Sequence, residues 1–349
     1  MVVIKKMKER QKKDLLAILA SRAECPKSLE LELRGMKIQV GYRPDYLTEA
    51  LDMGTRLLAE NAEIQNGDWV LTFNCGSGAA GIVAAKLVGE RGRVLVADDS
   101  VAALGYSRAN LTLNQIENAQ ACSLDELNSQ APNQWNVMLL NILQESKKAG
   151  IEKMLRLGGK LLKEGGKFYL AGGKKRGILS LSKLMKNIFG NATPLAYRSG
   201  YRVVVSVKKE ALSPKFEEEE RRKKIQVWSQ DYEIVLAPGV FAEGDLDEGT
   251  RMLIEVMKID RDDVVLDLGC GSGIIGMVAA NLAPEGKVYL VDSSYLAVKT
   301  AKKNLDLNGI TGVEVRAGDV LGGLAEVKFD VIVTNPLFTW GEKKLKQLP

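Results

Sequence analysis

Histidine is absent from all 349 residues, which removes the commonest metal ligand and the usual general base. Whatever chemistry the chain performs must manage without an imidazole. Cysteine is scarce: Cys25, Cys75, Cys122 and Cys270 are scattered, with no C-x-x-C pair. That usage excludes a disulfide framework and a structural zinc site and points to a reduced, intracellular protein. No stretch of about 18 uninterrupted apolar residues occurs, so no membrane span is expected. The amino terminus is basic and polar and lacks the apolar core of a signal peptide. Excess charge is also small. The net charge of +5 is compatible with an RNA partner but far below that of a dedicated nucleic-acid binder. The expected setting is therefore the cytoplasm, with neither membrane nor metal.

What is present is a repeat. Leu51-Asp52-Met53-Gly54-Thr55-Arg56 returns as Leu246-Asp247-Glu248-Gly249-Thr250-Arg251, and Cys75-Gly76-Ser77-Gly78 returns as Cys270-Gly271-Ser272-Gly273, both at an offset of 195. After a one-residue slip, Asp98 answers Asp292, Asn110 and Asn114 answer Asn304 and Asn308, and Asn141 answers Asn335. Glycines, an acid and three asparagines at fixed spacing read as a site present twice. A repeat unit of this size is a domain, so the chain holds two.

The patterning within each unit is strand–helix–strand. In the first, strands are predicted at 69–73, 93–97, 119–123, 135–140, 167–171 and 202–207, and helices at 81–88, 102–113, 151–162 and 179–189. In the second, strands are predicted at 264–268, 288–291, 313–317 and 331–334, and helices at 274–282 and 296–307. Alternation of this kind makes a parallel, doubly wound α/β sheet. The fold expected is two tandem Rossmann-like domains. Residues 1–208 form the first, 209–224 a charged linker carrying the runs Glu217–Glu220 and Arg221–Lys224, and 225–349 the second. Residues 4–22 read as an amphipathic helix and 29–40 as an alternating strand. In the first copy 67 residues separate Asn141 from Lys208, but only 14 separate Asn335 from Pro349. The second domain is thus expected to lack its last helices and final two strands, leaving the strand at 331–334 as an unpaired edge.

In the second copy Asp267-Leu268-Gly269-Cys270-Gly271-Ser272-Gly273 follows an apolar strand and opens a helix. Such glycines let backbone amides approach a ligand. Gly271, Gly273 and Gly276 satisfy G-x-G-x-x-G, and Asp292 ends the next strand at ribose-binding distance, a pattern that a nicotinamide-binding domain shares. Three features favour S-adenosylmethionine instead. Asp267 precedes the first glycine, where it can pair with an ammonium and would repel a pyrophosphate. Asp319 ends the third strand, where a carboxylate can accept from an adenine amine. Asn335-Pro336-Leu337-Phe338 directly follows the fourth strand. There the Asn335 side-chain carbonyl and the Pro336 backbone carbonyl can accept from one exocyclic amine, aligning its nitrogen with the methyl sulfonium. Phe338 can stack on the acceptor ring.

On these residues the chain resembles the class I S-adenosylmethionine-dependent methyltransferases, and more closely the small-subunit rRNA guanine-N2 methyltransferase C group. Pro238-Gly239-Val240-Phe241 with Leu246-Asp247-x-Gly-Thr is similar to that group's lead into its catalytic domain. The 265–271 segment is similar to its cofactor loop, and Asn335-Pro336-Leu337-Phe338 to its N-P-P-F signature, with Leu337 in place of the second proline. The resemblance implies a degenerate first domain and a catalytic second one. It also implies methyl transfer from S-adenosylmethionine to a guanine N2 amine in ribosomal RNA, the small subunit foremost, with the base unstacked. Cofactor contacts are expected from Phe241, Asp267, Gly269, Gly271, Asp292, Asp319 and Asn335, and the acceptor is expected against Asn335, Pro336 and Phe338. A monomer is favoured.

The first copy departs at the site. Thr72 stands for Asp267, Asn74 for Gly269, Asn136 for Asp330, and Asn141-Ile142-Leu143 lacks the proline, so this half is expected not to catalyse. Lys174, Lys175, Arg176, Lys183 and Lys186 can form a phosphate-gripping patch or simply a solvated face. Three other readings stand beside the main one. They are a non-catalytic RNA-binding scaffold, a nicotinamide-dependent reductase, and a methyltransferase acting on another amine or amide, such as a protein glutamine.

Overall fold

A computed structural model describes residues 2–5, 27–42, 51–143, 146–209, 221–237, 240, 246–319, 324 and 326–335. It divides into two compact units, residues 24–219 and residues 1–23 together with 220–349. The chain opens with a short strand, β1 (Val2–Lys5), that joins the sheet of the second unit.

The unit of residues 24–219 begins with a hairpin, β2 (Lys27–Leu33) and β3 (Met36–Tyr42). The segment 29–40, expected as one strand, is two. Arg34 and Gly35 turn the chain with φ of 54° and 72°, the left-handed pair that a two-residue hairpin loop requires. Then come α1 (Met53–Asn61), β4 (Trp69–Phe73), α2 (Ala79–Val88), β5 (Arg93–Asp98), α3 (Val101–Leu113), β6 (Ala119–Ser123) and β7 (Trp135–Asn141). The unit ends with α4 (Lys148–Leu161), β8 (Leu162–Gly173), α5 (Ile178–Phe189), β9 (Thr193–Arg198) and β10 (Tyr201–Val207). The seven-stranded sheet runs β6-β5-β4-β7-β8-β10-β9. It is parallel from β6 through β8, and β10 lies antiparallel to both of its neighbours. Strands such as β4 are apolar on both faces because helices cover both faces of the sheet. Below the sheet Phe73, Phe168 and Phe189 pack ring against ring at 6.1 and 5.4 Å.

The second unit repeats this order. A hairpin, β11 (Arg221–Val227) and β12 (Gln230–Leu236), precedes α6 (Glu248–Val256), β13 (Val264–Leu268), α7 (Ile274–Leu282), β14 (Lys287–Asp292), α8 (Tyr295–Leu307), β15 (Val313–Ala317) and β16 (Val331–Thr334). Arg221–Lys224, read from charge as linker, is the first half of β11. Its seven residues pair in full with β12, and Ile225 and Val227 are buried, so sheet pairing outweighs the charge run. The four parallel strands run β15-β14-β13-β16. The edge of β16, expected to be bare, is covered by β1, which pairs antiparallel with Val2 opposite Thr334 and Lys5 opposite Val331. This β1 strand also corrects part of the helix expected over 4–22, where Ile4 and Lys5 are extended; the rest of that segment lies outside the described residues.

Four of the repeated asparagines are structural. Asn304 accepts from Val235 N (2.7 Å) and donates to Ser272 O (2.8 Å), while Asn308 accepts from and donates to the Glu233 backbone at 2.9 and 2.7 Å. In the first unit Asn110 does the same to Gly41 and Ser77, and Asn114 to Gln39. Each pair satisfies the free edge of a hairpin strand from the flank of a helix. The spacing that read as part of a ligand site is therefore a device that pins the hairpin.

Candidate functional site

In the second unit the order of strands reverses between β13 and β16. An open α/β sheet forms its ligand crevice at that point, outside the carboxyl ends of the strands. Asp267 and the glycine turn lie at the end of β13, Asp292 at the end of β14, Asp319 just past β15, and Asn335 just past β16. The strand ends are tied together. Gly269 N donates to Val291 O at 2.8 Å, Gly318 N to Asp292 O at 2.9 Å, and Thr334 Oγ1 to Leu268 O at 2.7 Å.

The turn itself demands glycine. Gly269, Gly271 and Gly273 have φ of 75°, 54° and 84°, the left-handed region that a Cβ disfavours. Gly276 serves a different end, because a Cβ there would stand 2.5 Å from the Leu290 side chain. It lets α7 lie close on β14.

Asp267 is fully buried. One carboxylate oxygen accepts from Gly276 N at 3.0 Å, in the first turn of α7, and the other, Oδ1, has no partner. Burial pushes this carboxyl up to about 7; the Gly276 amide opposes the shift and the Asp292 charge adds to it. A buried, unpartnered carboxylate oxygen beside an open glycine turn is the acceptor that an ammonium group needs. Nothing lies within 4 Å of where a Cβ on Gly269 would be, so the turn has room for a ligand. These residues fit the methionine end of S-adenosylmethionine. Asp292 accepts from Gly271 N and Ser294 N, both at 2.9 Å, so it holds the turn closed as well as ending β14. Asp319 is exposed. Cys270 is buried and burial raises its thiol well above the ordinary range, which makes it packing beneath the turn.

Asn335 is clamped. Its amide nitrogen donates to Asp247 Oδ1 at 3.2 Å and to Thr250 Oγ1 at 2.9 Å. The Thr250 hydroxyl in turn donates to Asp247 Oδ2 at 2.5 Å. A carboxylate only accepts, so the amide nitrogen must face Asp247, and Asn335 Oδ1 is left to accept from something else. Asp247 is also the N-cap of α6, accepting from Thr250 N, and a Cβ on Gly249 would stand 3.1 Å from Asn335 Oδ1. This accounts for the repeated L-D-x-G-T: cap, room and hydroxyl for one asparagine. Reading the sequence assigned Asp247 and Thr250 no role. The signal was there, an N-cap type three residues before a threonine at a helix start, repeated in step with the asparagine. Phe241, Pro336 and Phe338 lie outside the described residues.

The first unit repeats the clamp without the rest. Asn141 donates to Asp52 Oδ1 at 2.9 Å and to Thr55 Oγ1 at 3.0 Å. Asn74, in the place of Gly269, adopts the same left-handed backbone (φ 51°), and its side chain crosses the crevice to Asn141 O and Ser146 Oγ. Thr72 takes the place of Asp267. Its hydroxyl and Asn141 Oδ1 are both buried without partners. They share a cavity of about 10 Å³, room for about one water. The exchange of Asp330 for Asn136 is not a loss of function. Each accepts from the first amide of the neighbouring strand, Val264 N at 2.9 Å and Trp69 N at 3.0 Å, at the opposite end of the sheet from the site.

Among the described residues no helix is long and apolar enough to cross a membrane, and no cluster of His, Cys, Asp or Glu can hold a metal.

The model of the methyltransferase small domain family matches residues 46–205 and again 231–348. The chain is 29% identical over 262 residues to ribosomal RNA large subunit methyltransferase G of Erwinia tasmaniensis, covering 74% of this chain and 68% of that protein. It is 34% identical over 209 residues to ribosomal RNA small subunit methyltransferase C of Aeromonas hydrophila, covering 58% and 59%. The chain thus spans only part of the length of these relatives. The solved 16S rRNA N2 methyltransferase of T. thermophilus, in complex with AdoMet and guanosine, superposes with a TM-score of 0.75 at 25% identity, covering 90% of this chain and 81% of that one. With two copies of the fold and two matches to one family model, the chain belongs to the methyltransferase small domain family, whose methyl donor is S-adenosylmethionine.

Proposed function

We propose that the second copy transfers a methyl group from S-adenosylmethionine to the exocyclic N2 amine of a guanine in ribosomal RNA. The orientation of Asn335 carries this reading. Asp247 and Thr250 hold its nitrogen, which leaves its Oδ1 to accept from a substrate just past β16, where the sheet opens its crevice and where Asp267 ends the neighbouring β13. Bound there, the donor supplies an electrophilic methyl group on a sulfonium. The protein's part is placement. Asp267 Oδ1 receives the ammonium, Gly269 and Gly271 admit the cofactor's backbone-facing side, and Asp292 and Asp319 receive its ribose and adenine. Asn335 Oδ1 and the Pro336 carbonyl accept both hydrogens of the amine and turn its lone pair toward the methyl group, with Phe338 against the base and Phe241 at the entrance. Alignment of this kind replaces a general base during the attack, which suits a chain with no histidine; the S–CH3 bond breaks as the N–CH3 bond forms, the thioether leaves, and the methylated amine gives its surplus proton to water. Relatives named for rRNA methylation, and a neighbour solved with guanosine, support the choice of acceptor. We assign the first copy a non-catalytic role, because Thr72 and Asn74 remove the ammonium partner and fill the crevice.

The test is transfer of labelled methyl from S-adenosylmethionine to ribosomal RNA or the small subunit, with the labelled nucleoside identified. Asn335→Ala should abolish transfer while weakening donor binding far less than Asp267→Ala, which should abolish it. Label on protein in place of RNA, or donor binding that survives Asp267→Ala, overturns the reading.

A further inference from the structure

We propose that the first copy holds a guanidinium-binding site at the positions that answer Asp247 and Pro336 in the repeat, and that its own Arg176 fills it. Arg176 ends a single 3-10 turn (Lys174–Arg176) between β8 and α5, just before Gly177. Its Nη1 donates to Asp52 Oδ2 at 2.9 Å and to the Ile142 carbonyl at 3.1 Å. The guanidinium carbon lies 5.3 Å from the centre of the Tyr201 ring, and the Tyr201 hydroxyl donates to the same Asp52 oxygen at 3.5 Å. Only 21% of the Arg176 side chain and 23% of Asp52 is exposed, so the pair is largely withdrawn from water. Lys174 and Lys175, grouped with Arg176 as a cationic patch in the sequence, are exposed. Arg176 points the other way.

The partners are the ones that matter in the other copy. In the repeat Asp52 answers Asp247, and Ile142 answers Pro336. A planar amino nitrogen of a guanidine group thus donates both to the residue that clamps the asparagine and to the carbonyl that follows it. The frame offers a carboxylate, a carbonyl and an aromatic face, which suit a flat, delocalised cation with several hydrogens to give. They suit a compact ammonium poorly. Any small guanidinium is the expected ligand once the arginine is removed. The inference rests on contacts within the first unit and on the repeat. It holds whether or not the second copy transfers methyl groups.

Arg176→Ala in the full chain tests it. The variant should melt several degrees below the wild type. Low-millimolar guanidinium chloride should bind it saturably in a calorimetric titration and recover part of the lost melting temperature, while the wild type shows no saturable binding. Adding Asp52→Asn to the variant should abolish the rescue, and Arg176→Lys should melt as low as the alanine variant. Absence of saturable binding to folded Arg176→Ala, equal binding to the wild type, or wild-type stability in Arg176→Lys overturns the proposal. If the alanine variant does not fold, nitrogen-15 spectra of arginine-labelled wild-type protein decide. Separate Arg176 Nη signals with slowed rotation support a filled site, and a single averaged signal refutes it.

Discussion

The amide nitrogen of Asn335 and the carboxylate of Asp247 are 88 positions apart in the chain and 3.2 Å apart in space. Asp247 thereby decides which way the asparagine faces. Without it, the amide can flip and present its nitrogen to an amine that also needs an acceptor.

Asp247→Ala should therefore cost about 10²-fold in kcat, the scale of a reacting group misplaced by about 1 Å, while leaving the affinity for S-adenosylmethionine unchanged. Single-turnover methylation together with a donor-binding isotherm separates the two. A variant that loses donor affinity but keeps its rate would contradict the clamp.

Burial raises Asp267 from an ordinary 3.8 to about 7, so the folded protein holds a proton that the unfolded chain releases. With no ligand, this group's contribution to stability is complete below about pH 4, falls as pH rises to about 7, and is level above that. At about 1.4 kcal/mol per pH unit the whole change is about 4 kcal/mol. Asp267→Asn should flatten that part of the profile in urea unfolding measured across pH. An ammonium seated against the carboxylate lowers its pKa, so donor binding should release a proton near neutrality. Calorimetry in buffers of different ionisation heat reads this directly; unchanged protonation on binding would separate Asp267 from the ammonium.

Asn304 satisfies Val235 N inside the second unit at 2.7 Å. Asn304→Ala strands that amide, a loss of about 1–3 kcal/mol for a buried polar group. Hydrogen exchange should quicken across Arg221–Val227 and Gln230–Leu236, and also at the glycine turn, whose Ser272 carbonyl loses its Asn304 donor. Faster exchange confined to the glycine turn, with the hairpin unchanged, would contradict the pinning role.

The β1 strand covers the edge of β16. Removing residues 1–5 exposes the unpaired amides of an apolar strand, a template for association between chains. The shortened chain should scatter light at concentrations where the whole chain stays clear, and the β16 amides should lose protection. A monodisperse product with intact β16 protection would show that the pairing adds nothing.

Much of the fold was legible because strand and helix periodicities are local. Trp69–Phe73, Val264–Leu268 and Ile274–Leu282 follow from apolar runs bounded by glycine and charge, and the glycine turns follow from spacing alone. Short, polar or charge-rich elements were not legible. The helix Met53–Asn61 hides behind a motif, and Arg221–Val227 looks like linker because its outward side chains carry the charge while only Ile225 and Val227 face inward. The candidate site shows the same split. Asp267 and Asn335 announce themselves by position, but Asp247 and Thr250 act only through a residue far along the chain.

By itself the sequence determined that one domain is written twice, that the second copy keeps the carboxylate and the asparagine, and that the first has lost the carboxylate. Repetition and residue type are properties of the chain order. Only the tertiary structure decided what the recurrent asparagines do. An amide side chain at a given spacing serves a ligand or a neighbouring strand equally well, and the nearest free donor settles which. It also decided that residues 2–5 belong with residues 331–334. An open strand edge takes whichever extended segment reaches it, and no local pattern names that segment in advance.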